Sequence, residues 1–169
     1  ALTTAYVASG FFAQSFYFGA FFPRKAGERK RLLEQLKSLD AVVIFYESPQ
    51  RLVSALDAIA ELMPHRRVAV CRELTKVHEE ILRGPVGDVL DAFKDREQHE
   101  GIKGEIVLVI DAPNEVEIEA QREDARLSSK ERVDALLKEG SHTKKDIVRI
   151  LQKEYGLSRN DAYELVHGS

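Results

Sequence analysis

Residues 42–51, VVIFYESPQR, constrain the fold of this chain more than any other segment. The first five are β-branched or aromatic and uncharged, which predicts a strand covered on both faces in an α/β sheet. Pro49 suits the first turn of a following helix, where its missing N–H would be unsatisfied anyway. Glu47, Ser48 and Arg51 therefore lie where a strand meets a helix, the usual ligand position in an open α/β sheet. A capped turn with a surface arginine is the alternative.

The composition permits one core with a small satellite domain: of the 169 residues, 44% are hydrophobic and 31% are charged. The net charge of −3 gives no global attraction to nucleic acid or anionic lipid, so local clusters must provide any such contact. The single cysteine, Cys71, allows no internal disulfide, which agrees with a reducing, cytoplasmic location. We expect no membrane span, because every apolar run is too short, and no metal site, because the histidines are scattered.

Two unusual clusters precede the strand predicted at residues 42–46. Residues 11–22 hold a heavy load of aromatic residues in a β-like pattern, either as core or as an interface with a partner domain. We therefore expect self-association, as a homodimer. Residues 24–31 contain five basic residues in eight, followed by a helical pattern. They form either a solvated helix face or a contact to RNA phosphates, for which the candidates are Arg24, Lys25, Arg29 and Lys30.

Further predicted strands have polar residues at their ends. Residues 67–71, 81–85 and 104–110 predict strands, and residues 86–93 predict a short helix. Arg-Glu-Leu-Thr-Lys at residues 72–76 follows the first of these, and a Gly-Glu pair enters the last. Such groups either converge on one cleft or face water as ordinary strand-end charges.

The C-terminal part has a different character. Residues 112–126 are acidic and predict a solvated linker. Capping patterns at residues 128–131, 143–146 and 158–161, each with a glycine after the following apolar repeat, predict three helices. Residues 127–169 therefore indicate a helix-turn-helix-like unit.

The middle helix of this unit places Lys145, Arg149 and Lys153 on one face, where they are candidates for RNA contact. Asp161 and Glu164 on the last helix would repel phosphates, which argues against DNA reading. Packing or dimerisation is the remaining role for the unit.

Several motifs then occur in the order of one known family: residues 1–5 with Ser9-Gly10, and residues 19–23, 45–51, 72–76 and 104–108. Together they resemble the bacterial small-subunit (16S) ribosomal RNA cytidine 2′-O-methyltransferases of the tetrapyrrole methylase superfamily. Gln50 stands where the family more often has His. Members of the family begin with a further α/β domain that carries a glycine-containing cofactor loop, so the chain is similar to their C-terminal half only.

The resemblance implies an α/β fold at residues 1–111, the C-terminal mixed-sheet α/β/α domain of a class III methyltransferase. The acidic linker and the three-helix domain follow it. It also implies S-adenosylmethionine as cofactor and small-subunit ribosomal RNA, or the 30S subunit, as partner, with this half inactive alone. A non-catalytic RNA-binding or assembly module is the alternative, and a DNA-binding regulator is a weaker one.

By the same resemblance, one wall of the cofactor cleft is formed by a set of strand-end and helix-start residues: Ala1, Leu2, Tyr46, Glu47, Arg72, Glu73, Leu74, Lys103, Gly104 and Glu105. Transfer to a ribose hydroxyl requires positioning and removal of its proton. Glu47 and Glu79 are the candidate proton acceptors. Arg51, Lys76 and Arg72 are candidates for holding the RNA backbone or lowering the pKa of the hydroxyl.

Overall fold

Five strands form a mixed sheet in the computed structural model, which describes residues 1–168. They are β1 Phe16–Phe21, β2 Val42–Glu47, β3 Arg67–Arg72, β4 Glu80–Pro85 and β5 Ile106–Ile110. Their order is β1-β2-β5-β3-β4; β1 and β2 are parallel, and the other neighbours are antiparallel. The predicted mixed α/β sheet is confirmed, and the strand predicted at residues 81–85 is β4.

Helices cover both faces of the sheet, because β2 is apolar on both. α2 (Ala26–Leu36), α3 (Pro49–Leu62) and α4 (Val86–His99) pack on the face that holds Val43 and Phe45. α1 (Leu2–Ser9) packs on the opposite face, against Val42 and Ile44. The strand predicted from residues 42–46 is therefore buried from both sides. α4 extends six residues beyond the predicted residues 86–93 and ends at His99.

The prediction of a core role for the aromatic segment is wrong for most of its members. Phe11 and Phe22 are buried. Most of the others are exposed on or beside the edge strand β1: Phe12, Phe16, Tyr17, Phe18 and Phe21. α1 packs mainly against β2, β3, β4 and β5, and its Tyr6 ring lies 5.6 Å from that of Phe16 in β1.

Cys71 is the penultimate residue of β3 and is fully buried. Burial raises the pKa of its thiol to about 11, so the group stays protonated at neutral pH. It is a packing residue of the α1 face.

α5 (Glu115–Glu139) corrects two predictions about the C-terminal part. The acidic segment is mostly helix, because Glu, Ala, Gln and Arg favour helix over coil. Ser128 does not cap a new helix, and Ser129 is buried within α5 with its Oγ donating to the carbonyl of Arg126. Asn114 provides the helix start instead: its Oδ1 accepts from the N–H of Glu117, and its own N–H donates to the Glu117 carboxylate.

The chain divides into two compact units, Ala1–Ile118 and Glu119–Ser169. Within the second, α6 (Lys144–Tyr155) and α7 (Arg159–His167) share an apolar cluster with the later part of α5. Thr143 and Asp146 form the predicted capping box of α6, and Gly156 ends it with a left-handed backbone. The last two predicted helices are confirmed, whereas a helix-turn-helix likeness of this unit stays a prediction.

Candidate functional site

The sheet register brings the predicted polar segments to one end of the sheet, called here the polar end. Ile106, at the start of β5, pairs with Glu47 on one side and with Arg72 on the other. Arg72 also pairs with Glu80 at the start of β4. The ends of β2 and β3 and the starts of β4 and β5 therefore lie side by side. The convergence that the sequence suggested is present in the fold.

Two loops are joined across the polar end by reciprocal hydrogen bonds. The N–H of Glu73 donates to the carbonyl of Glu105 at 3.0 Å, and the N–H of Glu105 donates to the Glu73 carboxylate at 2.7 Å. Arg72 donates to the carbonyl of Lys103 at 3.3 Å. The Lys76 ammonium lies 3.2 Å from Glu73 and 3.0 Å from Glu105. Predicted cofactor-binding and catalytic residues thus form one connected cluster.

The backbone of this cluster is unusual. Glu73 and Thr75 are non-glycine residues with φ of 52° and 66°, in the left-handed region. Gly104 has φ of 96°, and a Cβ there would lie 2.5 to 2.7 Å from atoms of the Glu73 side chain. Only glycine fits at Gly104, because both the angle and the close approach exclude a side chain. Strained backbone of this kind is concentrated at functional sites.

The charges of the cluster fix the protonation of Lys76. The Glu105 N–H, followed by the Lys76 ammonium, lowers the pKa of Glu73. Hydrogen bonds to Glu105 and then Glu73 raise the pKa of Lys76. Lys76 therefore stays a cation at neutral pH and is unsuited to accept a proton. Glu79, by contrast, is exposed and accepts one hydrogen bond, from the N–H of Thr75 at 2.6 Å.

A second cluster lies at the end of β2. The buried Glu47 carboxylate accepts from the N–H of Ser48 at 2.6 Å and lies 2.5 Å from Arg51 Nη2. Arg51 also donates to Ser48 Oγ and, at 3.4 Å, to the carbonyl of Phe22. Arg51 thus pairs with Oε1 of the Glu47 carboxylate and ties the end of β1 to the start of α3. This geometry suits Glu47 to positioning Arg51 rather than to accepting a proton.

The α1 face supplies apolar surface at the same end. Leu2, Tyr46 and Leu74 are half-buried and pack against the cluster beneath α1. Cys71 Sγ lies 3.9 Å from the carbonyl of Ala5, which places the later part of β3 beside the middle of α1. Arg83, paired with Ala69, reaches the last turn of α1, so α1 runs opposite to β3 and its first residue, Ala1, points to the polar end.

Sequence reasoning missed an ion cluster beside the site. Glu80 accepts from Arg72 at 2.9 Å and from Arg96 at 2.6 and 2.7 Å. Arg96 lies on α4 and Glu80 on β4, so no spacing along the chain indicated the contact. The hydrogen bonds from Arg96, and then from Arg72, lower the pKa of Glu80. Arg72 is therefore held on one side by a carboxylate and on the other by the carbonyl of Lys103.

The predicted RNA-binding residues fall into two groups. Arg24 and Lys25 are exposed just after β1, whereas Arg29 bonds Ser54 across to α3. Arg29 and Lys30 line a cavity of about 390 Å³ between α2 and α3 that includes none of the predicted cofactor residues. The second group, which is exposed on α6, consists of Lys145, Arg149 and Lys153.

Two further properties concern residues 1–168, the part of the chain that is described. None of its helices combines the length and apolar character needed to cross a membrane. No group of three or more His, Cys, Asp or Glu side chains within it is arranged to hold a metal ion.

Relatives of the chain were found by sequence. Residues 2–90 match the family model of tetrapyrrole (corrin/porphyrin) methylases. The chain is 34% identical over 168 residues to a protein named ribosomal RNA small subunit methyltransferase I from Bacillus subtilis (strain 168), covering 99% of this chain and 56% of the relative. A protein of the same name from Hydrogenobaculum sp. (strain Y04AAS1) is 46% identical over 114 residues, covering 68% of this chain and 48% of the relative.

The chain spans about half the length of the curated relatives it matches. Among solved structures, the methyltransferase CobJ is similar with a TM-score of 0.48 and 17% identity, over 67% of this chain and 53% of that chain.

Proposed function

Because the chain belongs to the tetrapyrrole methylase family, we propose that it forms part of an S-adenosylmethionine-dependent methyltransferase acting on a cytidine 2′-hydroxyl of small-subunit ribosomal RNA, in the cytoplasm. One observation carries the proposal. The segments 46–47, 72–74 and 103–105 meet at the polar end, in a chain whose relatives are named small-subunit ribosomal RNA methyltransferases. The RNA is either free or part of the 30S subunit.

The residues at the polar end fit the cofactor by their chemistry. Leu2, Tyr46 and Leu74 offer half-buried apolar surface, which suits the faces of an adenine ring. Backbone groups of the strand ends lie beside them, and Gly104 allows close approach of the chain. When bound, S-adenosylmethionine supplies an activated methyl group.

The side chains of the polar end then have separate roles in the proposal. Glu79 accepts the proton of the ribose hydroxyl, since its carboxylate is exposed and makes one backbone contact. Lys76, whose pKa is raised by hydrogen bonds to Glu105 and Glu73, holds an RNA phosphate or stabilises the developing oxyanion. Glu47 positions Arg51 rather than taking the proton, because its carboxylate is buried, accepts from the N–H of Ser48 and pairs with Arg51.

Calorimetry tests the cofactor site. S-Adenosylmethionine is titrated into the 169-residue chain and into the full-length product of its gene, and methyl transfer to small-subunit RNA is measured with both. Binding and transfer by the full-length product support the proposal, including when the 169 residues alone remain inactive. A full-length product that binds no S-adenosylmethionine would refute it.

The roles of Arg51 and Lys76 are tested in the full-length product. Arg51→Ala and Lys76→Ala are expected to lower kcat at least tenfold while circular dichroism remains native, because each removes a positioned cation. Lys138→Ala, on the exposed side of α5, is the matched control and leaves turnover unchanged. Wild-type turnover in both variants would remove the two residues from the mechanism.

A non-catalytic RNA-binding or assembly module is the second candidate. It is favoured by the exposed basic face of α6, since clustered cations bind RNA phosphates without regard to sequence. This candidate predicts RNA retention by the chain and no affinity of the full-length product for S-adenosylmethionine.

A further inference from the structure

β1 contains one extra residue relative to β2. Phe18 pairs with Ile44, whereas Phe21 pairs with Tyr46, so three steps along β1 match two along β2. Ala20, inside this bulge, has φ of 55°, a conformation that an alanine rarely adopts. Bulges of this type redirect side chains and are frequent next to active sites.

The bulge changes which face the following residues occupy. In a regular strand Phe18 and Phe21 would lie on opposite faces, because side chains alternate. With the extra residue both lie on the α1 face, and Phe22 turns into the opposite core, where it contacts Phe45 at 5.0 Å between ring centroids. Burial of Phe22 therefore comes together with exposure of Phe21.

Phe18 and Phe21 converge on one ring. Their ring centroids lie 5.1 and 5.7 Å from that of Tyr46, and both contacts are edge-to-face. Phe21 is nevertheless 67% exposed, so part of its ring faces water. Gly19 allows this strand to lie close to β2, because a Cβ there would lie 2.1 Å from the Phe45 ring. The result is an aromatic surface of three rings, named here the aromatic platform: Phe18, Phe21 and Tyr46.

Cations adjoin the platform. Arg24 and Lys25 follow Phe21 after only two residues, and both are exposed. The carbonyl of Phe22 is held by Arg51, which fixes the chain between the rings and the cations. Lys25 also lies 3.4 Å from Glu28, but that pair is exposed and therefore weak. Exposed aromatic rings beside cations that track a backbone are the features by which proteins bind single-stranded nucleic acid.

We propose that the aromatic platform stacks an unpaired nucleobase of the RNA substrate while Arg24 and Lys25 contact the adjoining phosphate. The inference rests on the proposed function and adds a base-binding subsite to it. Tyr46 belongs both to the platform and to the predicted cofactor wall, so a base on the platform lies next to the site of transfer. A second copy of the chain is a poorer occupant, because two-fold pairing of platforms would bring the same cations together.

Fluorescence anisotropy with a single-stranded cytidine-containing oligonucleotide tests the subsite in the 169-residue chain, without cofactor. Phe21→Ala is expected to weaken binding about tenfold or more, because each stacked base contributes that order of affinity. Phe21→Trp retains an aromatic face and is expected to retain binding. Lys25→Ala is expected to weaken binding. It is also expected to reduce the slope of log Kd against log salt concentration by about one.

Phe12→Ala is the matched control: Phe12 is 88% exposed and precedes β1 in the chain. Affinity for a duplex of the same length is expected to change little in Phe21→Ala, since paired bases cannot stack on the rings. Circular dichroism checks the fold.

Equal loss in the Phe12→Ala and Phe21→Ala variants, or no affinity of the wild-type chain for single strands, would overturn the inference. A Phe21→Ala variant that keeps RNA affinity but has a lower mass in light scattering would assign the platform to self-association instead. The outcome is separate from that of the proposed function. If the oligonucleotide stacks on the platform but the full-length product transfers no methyl group, the proposed function is refuted. If the full-length product transfers the methyl group but Phe21→Ala does not change oligonucleotide affinity, the base-binding subsite is refuted.

Discussion

Arginine–carboxylate pairs fix the geometry around the polar end. Glu47 and Arg51 form an ion pair where β2 enters α3; the sequence placed both residues at this junction, but their pairing was not predicted. Glu80 meets Arg72 and Arg96 only because β4 folds back on β3 and α4 follows it. The first contact joins residues close in the chain, whereas the second depends on sheet register.

Glu80 gives a pH prediction. Hydrogen bonds from Arg96 and then Arg72 lower its pKa below the ordinary 4.5, so the folded state favours the charged carboxylate. Its contribution to stability is therefore complete above pH 4.5 and is lost as the pH falls through the lowered value. Urea midpoints of wild type and Glu80→Gln, measured from pH 7 to pH 2.5, are expected to differ at neutral pH and to converge in acid. A difference that persists unchanged at pH 2.5 would contradict this assignment.

At the scale of elements, the start of α5 depends on a buried arginine. Arg66 is 1% exposed and donates to both oxygens of Glu117 at 2.9 Å and to the carbonyls of Asp111 and Lys37. Composition alone predicted a solvated linker here, because the acidic residues dominate the pattern. The carboxylate that looked solvated is instead the partner of a buried cation.

Removal of the Glu117 carboxylate is expected to lower the free energy of unfolding. Glu117→Ala leaves the Arg66 charge buried and unpaired, which destabilises by about 3 kcal/mol. Glu119→Ala, which removes an exposed carboxylate of the same helix that pairs with Arg122, is the control and is expected to cost less than about 0.5 kcal/mol. Urea unfolding followed by circular dichroism measures both. Similar midpoints for the two variants would show that the buried pair does not hold the start of α5.

At the scale of the whole molecule, the chain presents aromatic side chains to water along the edge strand. Phe12 and Phe16 lie outside the aromatic platform and remain exposed. Exposed apolar surface on an edge strand favours association with another chain.

We therefore expect self-association of the 169-residue chain at high concentration. Light scattering is expected to give a mass above that of the single chain, and Phe12→Asp to lower it, because a charge would be buried at the contact. Lys138→Asp, which alters charge far from β1 in sequence, is the control. A monomeric mass at every concentration would refute self-association.

The family was recognisable from its motifs, and the relatives found by sequence confirm it. The buried strand β2, the helix that follows it and the capped helices α6 and α7 were also determined by sequence. Each depends on interactions within a few residues: a run of apolar side chains, a proline at a helix start or a cap three residues away.

Tertiary structure decided the rest. The contact of Glu73 with Gly104, the burial of Arg66 against Glu117 and the outward turn of Phe21 all join or redirect residues according to what packs against them. Each of these depends on which strands and loops the complete sheet places side by side, and a pattern within a few residues does not specify that. Sequence thus supplied the chemical groups and the elements that carry them, and packing determined which groups meet.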